Sequence, residues 1–189
     1  MKNEESEGPK QKRPAVKIRQ MEIDDIAKVF HLGETLFKAG EAPNTYRTWD
    51  EYEVIELFYG DVEFCSVAVL KKKIIGFALG STITKSHSAW KYGHLIWLGV
   101  DPAHQQMGVA EKLFKRFKEV MLKENVRMLV VDTEAENIPA LKLFRKLGFR
   151  NPQQHIYLTM NLESERQLLK KRENGGPAEE RNNRNHRHG

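Results

Sequence analysis

The feature that most limits what this chain can fold into is the stretch from His94 onward, HLIWLGVDPAHQQMGVAEKLFKRF. An apolar run, His94 to Val100, reads as a strand and is stopped by Asp101-Pro102. Small and polar residues follow, in the order Gln105-x-x-Gly108-x-Ala110. From near Gln106 the apolar spacing turns helical, with Val109, Leu113, Phe117, Val120 and Met121 on one side. A strand that feeds an amphipathic helix through a short turn must lay that helix back on its sheet. Each has one apolar face, and neither can hide it alone.

The rest of the body alternates in the same manner. Val16, Ile18 and Met21 suggest a first strand. Ile23-Asp24-Asp25 opens a helix with apolar positions Ile26, Val29, Phe30 and Leu36, broken by Gly40, Pro43 and Asn44. Thr48-Trp49-Asp50-Glu51 reads as an N-cap with early acids, and Tyr52, Ile55 and Phe58 continue a second helix. Val62 to Leu70 and Ile74 to Thr82 read as hairpin strands about Lys71-Lys72-Lys73. Met128 to Val131 reads as a buried strand. Asn137 to Lys146 reads as a helix closed by Gly148 as a left-handed cap. Ile156, Leu158 and Met160 alternate as a last strand. The expected class is α+β, three layers α/β/α on a mixed, largely antiparallel sheet.

Composition bounds the function. Of 189 residues, 40% are hydrophobic, enough for one domain with a core. The single cysteine, Cys65, excludes an internal disulfide framework and a cysteine-rich metal site, so no metal is expected. The first fourteen residues are charged and lack the apolar core of a signal peptide. No apolar run approaches the ~18 residues needed to span a bilayer. A cytoplasmic protein with no membrane partner is the expectation. Residues 1–14 and 163–189 read as charged, disordered tails around a domain at 15–162, although ESERQLLKKRE in the second tail looks helical.

The formal charge of +5 suggests attraction to anions. The turn at 105–110 offers a specific place for one. Small side chains at Gly108 and Ala110 let a ligand approach the backbone. The first amides of the following helix have no intrahelical acceptor, and the helix dipole adds positive potential there. A pyrophosphate fits such an end.

These residues carry a resemblance. Gln-x-x-Gly-x-Ala after a strand ending LGVDPAH resembles the coenzyme-A loop of the GNAT N-acetyltransferases, written Q/R-x-x-G-x-G/A. A second block, VDTEAENIPALKLFRKLGF at 131–149, resembles the family's L-E-x-x-x-x-N-x-x-A-x-x-L-Y-x-x-x-G-F. The resemblance covers residues 16 to 162 and is strongest from 94 to 149. It implies a sheet of the acyl-CoA N-acyltransferase type. It also implies acetyl-CoA as co-substrate and an amine as acceptor.

Residue by residue, the resemblance implies that the backbone of Leu98, Gly99 and Val100 pairs with the pantetheine arm. Gln105 opens the loop, and the amides of Gln106, Met107, Gly108, Val109 and Ala110 hold the pyrophosphate. Asn137 matches a residue that touches the pantetheine region, and it reads equally as a helix N-cap. His94 stands where many members carry a Glu. An imidazole, with a reference pKa of about 6.5, can accept a proton near neutrality. Phe144 replaces the family's Tyr, a proposed general acid. Its ring can pack against pantetheine but cannot donate a proton. Tyr157 is the substitute donor to test. Asp132 matches an acidic position and reads by default as a salt bridge or hydrogen bond.

The resemblance places the acceptor beside Glu34, Leu36 and Phe37 and the loop that follows. Glu34 and Glu41 suit a cationic amine, while Leu36, Phe37, Tyr46 and Trp49 suit an apolar side chain or the core. A protein or peptide amine, α-amino or lysine, is the first expectation. A small amine metabolite is the second. A coenzyme-binding or nucleic-acid-associated module without turnover is the third. Nucleic acid is not expected as a partner, and the chain is expected as a monomer or homodimer.

Overall fold

Alternating apolar residues build one mixed sheet in the computed structural model, which describes residues 15–37, 48–84, 90–154, 156, 158, 160 and 162–173. The chain divides into two units, Met1–Pro152 and Gln153–Gly189, each described by itself. In the first unit the strands are β1 (Lys17–Gln20), β2 (Ser66–Leu70), β3 (Lys73–Thr84), β4 (Lys91–Val100) and β5 (Met128–Val130). Their spatial order is β1-β2-β3-β4-β5. All neighbours are antiparallel except β4 and β5, which are parallel.

Helices cover both faces. On one face, α1 (Ile26–Leu36) and α2 (Glu51–Asp61) enclose Val29, Val54, Leu57, Val67, Phe77, Leu79 and Trp97. On the other, α3 (Val109–Lys123) sets Val109, Leu113, Phe114, Phe117 and Met121 against Ala68, Ile75, Ala78 and Leu95. The helix α4 (Ile138–Leu147) adds Phe144 and Leu147 to that second cluster, and Phe149 follows from the chain beyond it. The three-layer expectation holds. Trp97 and Phe114 are core residues, 8% and 5% exposed.

Several boundaries move, each for a local reason. β2 starts at Ser66, because Val62–Phe64 form a short 3-10 turn closed by Cys65 N donating to Val62 O at 3.0 Å. In α2 the buried residues are Val54 and Leu57, while Tyr52 is 82% exposed. The cap is as expected: Asp50 accepts from Glu53 N at 2.8 Å. β5 is not a buried strand, since Met128 and Val130 are 46% and 39% exposed and Leu129 alone packs on the core. Ile156, Leu158 and Met160 lie in no strand; Tyr157 and the other residues interleaved with them lie outside the described residues. In the second unit the helical-looking stretch is a helix, α5 (Leu162–Glu173).

Two contacts fix how α1 sits. The indole of Trp49 occupies the space that a side chain at Gly33 would need, and Trp49 Nε1 donates to Phe30 O at 3.0 Å. Trp49 also meets Phe37, Phe77 and Trp97 at ring centroids of 5.3, 5.2 and 5.1 Å. Such pairs each add about 0.5–1.5 kcal/mol beyond burial. At the entry to α1, Asp25 is 2% exposed and takes a bidentate Arg19, with Arg19 Nη2 at 2.9 Å from Oδ1. Glu22 N donates to the same carboxylate at 2.9 Å. Burial opposes the Asp25 charge, but the Arg19 hydrogen bonds, the Glu22 amide and the Arg19 charge outweigh it and hold the carboxyl below its usual value.

Gly33→Ala puts a Cβ 2.0 Å from Trp49 Cε2, so it should destabilise the fold by roughly 1–3 kcal/mol, read as a lower urea midpoint with unchanged slope. A depressed carboxyl contributes stability above its unfolded value of about 3.9 and loses it as pH falls through the folded value. Asp25→Asn should therefore cost roughly 1.5–3 kcal/mol at neutral pH. Its deficit against wild type should shrink in urea titrations taken progressively below pH ~4.

Candidate active site

The site is organised by β4. Up to His94 it is flanked by β3 on one edge and β5 on the other. β5 stays with it for three pairs, Tyr92↔Met128, Gly93↔Leu129 and His94↔Val130. Residues 131–134 then leave the strand conformation. Beyond His94 no strand among the described residues pairs with that edge of β4, while β3 continues along the opposite edge to Val100. The sheet thus opens into a fork at His94.

A bulge turns the side chains of the fork. Leu79 pairs with Trp97 and Gly80 with Leu95, so Ile96 is an extra residue opposite β3. Ile96 and Trp97 both pack towards α1 and α2, whereas Leu95 and Leu98 both pack towards α3. A second bulge frees Ile75 in β3, between the pairs Ala68↔Gly76 and Val69↔Ile74. The Ile75 carbonyl accepts Asp101 N at 2.9 Å, which ties down the point where β4 ends.

From that point a shaped turn leads to α3. Asp101 accepts from Ala103 N at 3.0 Å and from Lys73 Nζ at 3.1 Å. The Ala103 amide, helped by Lys73 and by the His104 charge, keeps its carboxyl below the usual value although burial opposes it. Gln105 Nε2 donates back to Val100 O at 3.3 Å. Gln106 and Gly108 both adopt the left-handed conformation, φ 61° and 73°. For Gln106 that costs about 1–2 kcal/mol, a strain held by the turn around it. This double reversal delays α3 to Val109, three residues after the expected start. It also leaves Gly108, Val109 and Ala110 at a helix end whose amides have no intrahelical acceptor. Met107 is exposed beside them, 55%.

At the fork itself, His94 Nε2 lies 2.8 Å from Asp132 Oδ1. His94 is on the α1 and α2 face, because its neighbours Gly93 and Leu95 both turn towards α3. Asp132 follows two residues after Val130, the partner of His94 across the parallel pair. The expected polar tie at Asp132 is present, and its partner is His94. That pairing follows from strand register, which sequence spacing does not show.

The remaining candidates separate. Leu98, Gly99 and Val100 lie along β4 beyond the fork. A Cβ on Gly99 would come 2.7 Å from Leu36 Cδ1, so α1 rests directly on the strand. Leu36 and Phe37 pack into the α1 and α2 core, and Phe37 meets Trp97 at 4.7 Å. Glu34 is exposed and sits 2.8 Å from His31 Nδ1. Glu41 and Tyr46 lie outside the described residues. Asn137 caps α4, accepting from Ala140 N at 3.2 Å. Phe144 packs edge-on against Phe149 at 5.7 Å. Glu111 takes Lys146 of α4, which lowers its carboxyl pKa and pins the two helices together.

Cys65 has no catalytic opening. It is fully buried, its thiol donates towards Leu57 O at 3.5 Å, and burial pushes its pKa up to about 12. Among the described residues, no three His, Cys, Asp or Glu come together as a metal-holding group. No described helix is long and apolar enough to cross a membrane.

A mixed sheet that forks beside a turn and helix N-terminus defines an acyl-CoA N-acyltransferase type of fold. The sequence profile described as Acetyltransferase (GNAT) family matches residues 30–149, more than half of the chain, and the chain belongs to that family. N-alpha-acetyltransferase 30 of Xenopus laevis is 26% identical over 87 residues, 46% of this chain and 32% of its own length. The Homo sapiens protein of that name is 26% identical over 87 residues, 24% of its length. The match spans less than a third of these curated relatives. Among solved structures, aminoglycoside N-acetyltransferase AAC(6')-Iy in complex with CoA superposes with a TM-score of 0.64 at 21% identity, covering 79% of this chain and 97% of that one. Ard1 from Thermoplasma volcanium gives 0.62 at 20%, covering 74% and 85%. At these identities the likeness is one of fold.

The Cys65 thiol should ignore a disulfide thiol reagent in the folded protein and react once it is unfolded in denaturant, read as absorbance of the released chromophore.

Proposed function

We propose that the protein transfers an acetyl group from acetyl-CoA to the amine of a protein or peptide, an α-amino group or a lysine, by direct attack in a ternary complex. The observation that carries this reading is the fork at His94. Beyond it no strand among the described residues pairs with the β5-facing edge of β4, and Leu98 to Val100 lead along that edge to the Gly108 turn, a path for the pantetheine arm. A basic side chain stands at its apex. Leu98, Gly99 and Val100 supply the pairing backbone. Gln105 to Ala110 supply small residues and unpaired helix amides for the pyrophosphate. We place the catalytic unit at residues 15–162, with charged flanks.

The chemistry needs an amine with a lone pair. Its nitrogen bonds to the acetyl carbon, the carbon–sulfur bond breaks, the amine proton leaves, and the thiolate departs. His94 accepts that proton, directly or through a water. Phe144 cannot donate one to sulfur, so Tyr157 or water takes that role. A covalent acetyl-cysteine route is disfavoured because Cys65, the sole cysteine, is buried and protonated at neutral pH. The N-alpha-acetyltransferase relatives support an α-amine, which is also about two pKa units easier to deprotonate than lysine.

Thiol release from acetyl-CoA should appear with a peptide from a panel of peptides, amino acids, polyamines and aminoglycosides. His94→Ala should lower kcat on that acceptor about 100- to 10,000-fold while acetyl-CoA still binds. Release with only small amines would overturn the peptide reading. Coenzyme binding without any release would favour a non-catalytic module.

A further inference from the structure

We infer that Asp132 is a positioning residue for the reaction, fixing the tautomer of His94 so that Nδ1 is the nitrogen that receives the amine proton. This rests on the proposed role of His94 as base. A carboxylate only accepts hydrogen bonds, so at 2.8 Å from Asp132 Oδ1 the proton of the neutral ring sits on Nε2. The ring's lone pair is then on Nδ1. A histidine that serves as base must present one defined lone pair. A ring free to exchange tautomers spends part of its time presenting an N–H, which repels the proton to be taken.

The placement of Asp132 favours this role over a plain tie between strands. The ladder between β4 and β5 already ends two positions earlier, at His94↔Val130. Asp132 lies beyond the last pair, where the chain is departing from β4, yet it reaches back to His94. Its side chain is 41% exposed and that of His94 is 21% exposed. A pair in that setting contributes little to stability by itself, since solvent screens it. Its directional effect on the imidazole is undiminished. The Asp also sits where β4 and β5 part, so the element that opens the cleft is the one that orients the base.

Asp132→Asn tests the inference, because an amide of equal size can donate to Nε2 as well as accept from it. Steady-state kinetics would use the best peptide of the panel. The ring would be read by long-range proton–nitrogen NMR on histidine-labelled full-length protein, with His94→Ala to assign it. Expected is a fall in kcat of roughly 10-fold or more with KM for acetyl-CoA within about twofold, since the carboxylate that orients a base histidine acts on its tautomer. The His94 nitrogens should move from the Nε2–H pattern towards Nδ1–H. Asp132→Glu should recover part of kcat and the Nε2–H pattern. If His94→Ala is inactive while Asp132→Asn keeps wild-type kcat and pattern, the inference fails and His94 as base survives. If Asp132→Asn lowers the melting temperature and coenzyme affinity together, with the tautomer unchanged, Asp132 is a strand tie and the inference fails. If His94→Ala turns over like wild type, both readings fall.

Discussion

β4 is hydrogen-bonded to β3 from Lys91 to Val100 but to β5 only from Tyr92 to His94. Both arms of the site descend from that mismatch. One arm is a length of strand edge, with the polar backbone groups that a strand must direct somewhere. The other is the pair His94 and Asp132, held at the point of divergence. A sheet in which β5 ran alongside β4 to its end would fold as well and would have neither. The fork is maintained from outside. The Ile75 carbonyl holds Asp101, Asp101 holds Lys73 and the Ala103 amide, and Gln105 folds back on Val100.

The bulge at Ile96 divides labour between the two faces. His94, Leu98 and Val100 share the parity of their numbers, and a regular strand would point all three the same way. The extra residue breaks the count. His94 faces the layer of α1 and α2, where the acceptor is proposed to enter, and Leu98 and Val100 pack towards α3, whose N-terminus faces the proposed coenzyme. On the proposed reading, one irregular residue thereby turns β4 towards both substrates. The large side chains of that region, Trp97, Trp49 and Phe37, are committed to packing. Glu34 is exposed and pairs with His31.

Much of this was legible in the residues. The helix α3 and its buried row, the Asn137 cap, the Gly148 cap and the turn at Lys71 and Lys72 all appear where spacing and turn chemistry put them. Structure and local spacing diverge where solvent or neighbouring segments decide. Met128 and Val130 look like buried strand residues because they are apolar, but β5 is the last strand of the sheet among the described residues, and both side chains are exposed. Tyr52 looks like part of an apolar stripe, yet α2 is rotated so that Val54 and Leu57 meet the sheet. The spacing puts the start of α3 near Gln106, three residues before Val109, because two left-handed residues, one of them a glutamine, have no periodic signature.

The sequence by itself determined the class of the fold and the family, and it supplied the positions of His94 and of the 105–110 turn where the coenzyme is proposed to bind. These depend on local rules: apolar period, small residues at a turn, a proline that stops a strand. Tertiary structure alone decided that Asp132 meets His94 across 38 residues, that Ile96 is an extra residue in the ladder, and that the sole cysteine is buried. The physical reason is common to all three. Register between strands, the side on which a helix lands and the depth of a thiol are set by how separate segments share one core. No single segment carries that information in its own residues.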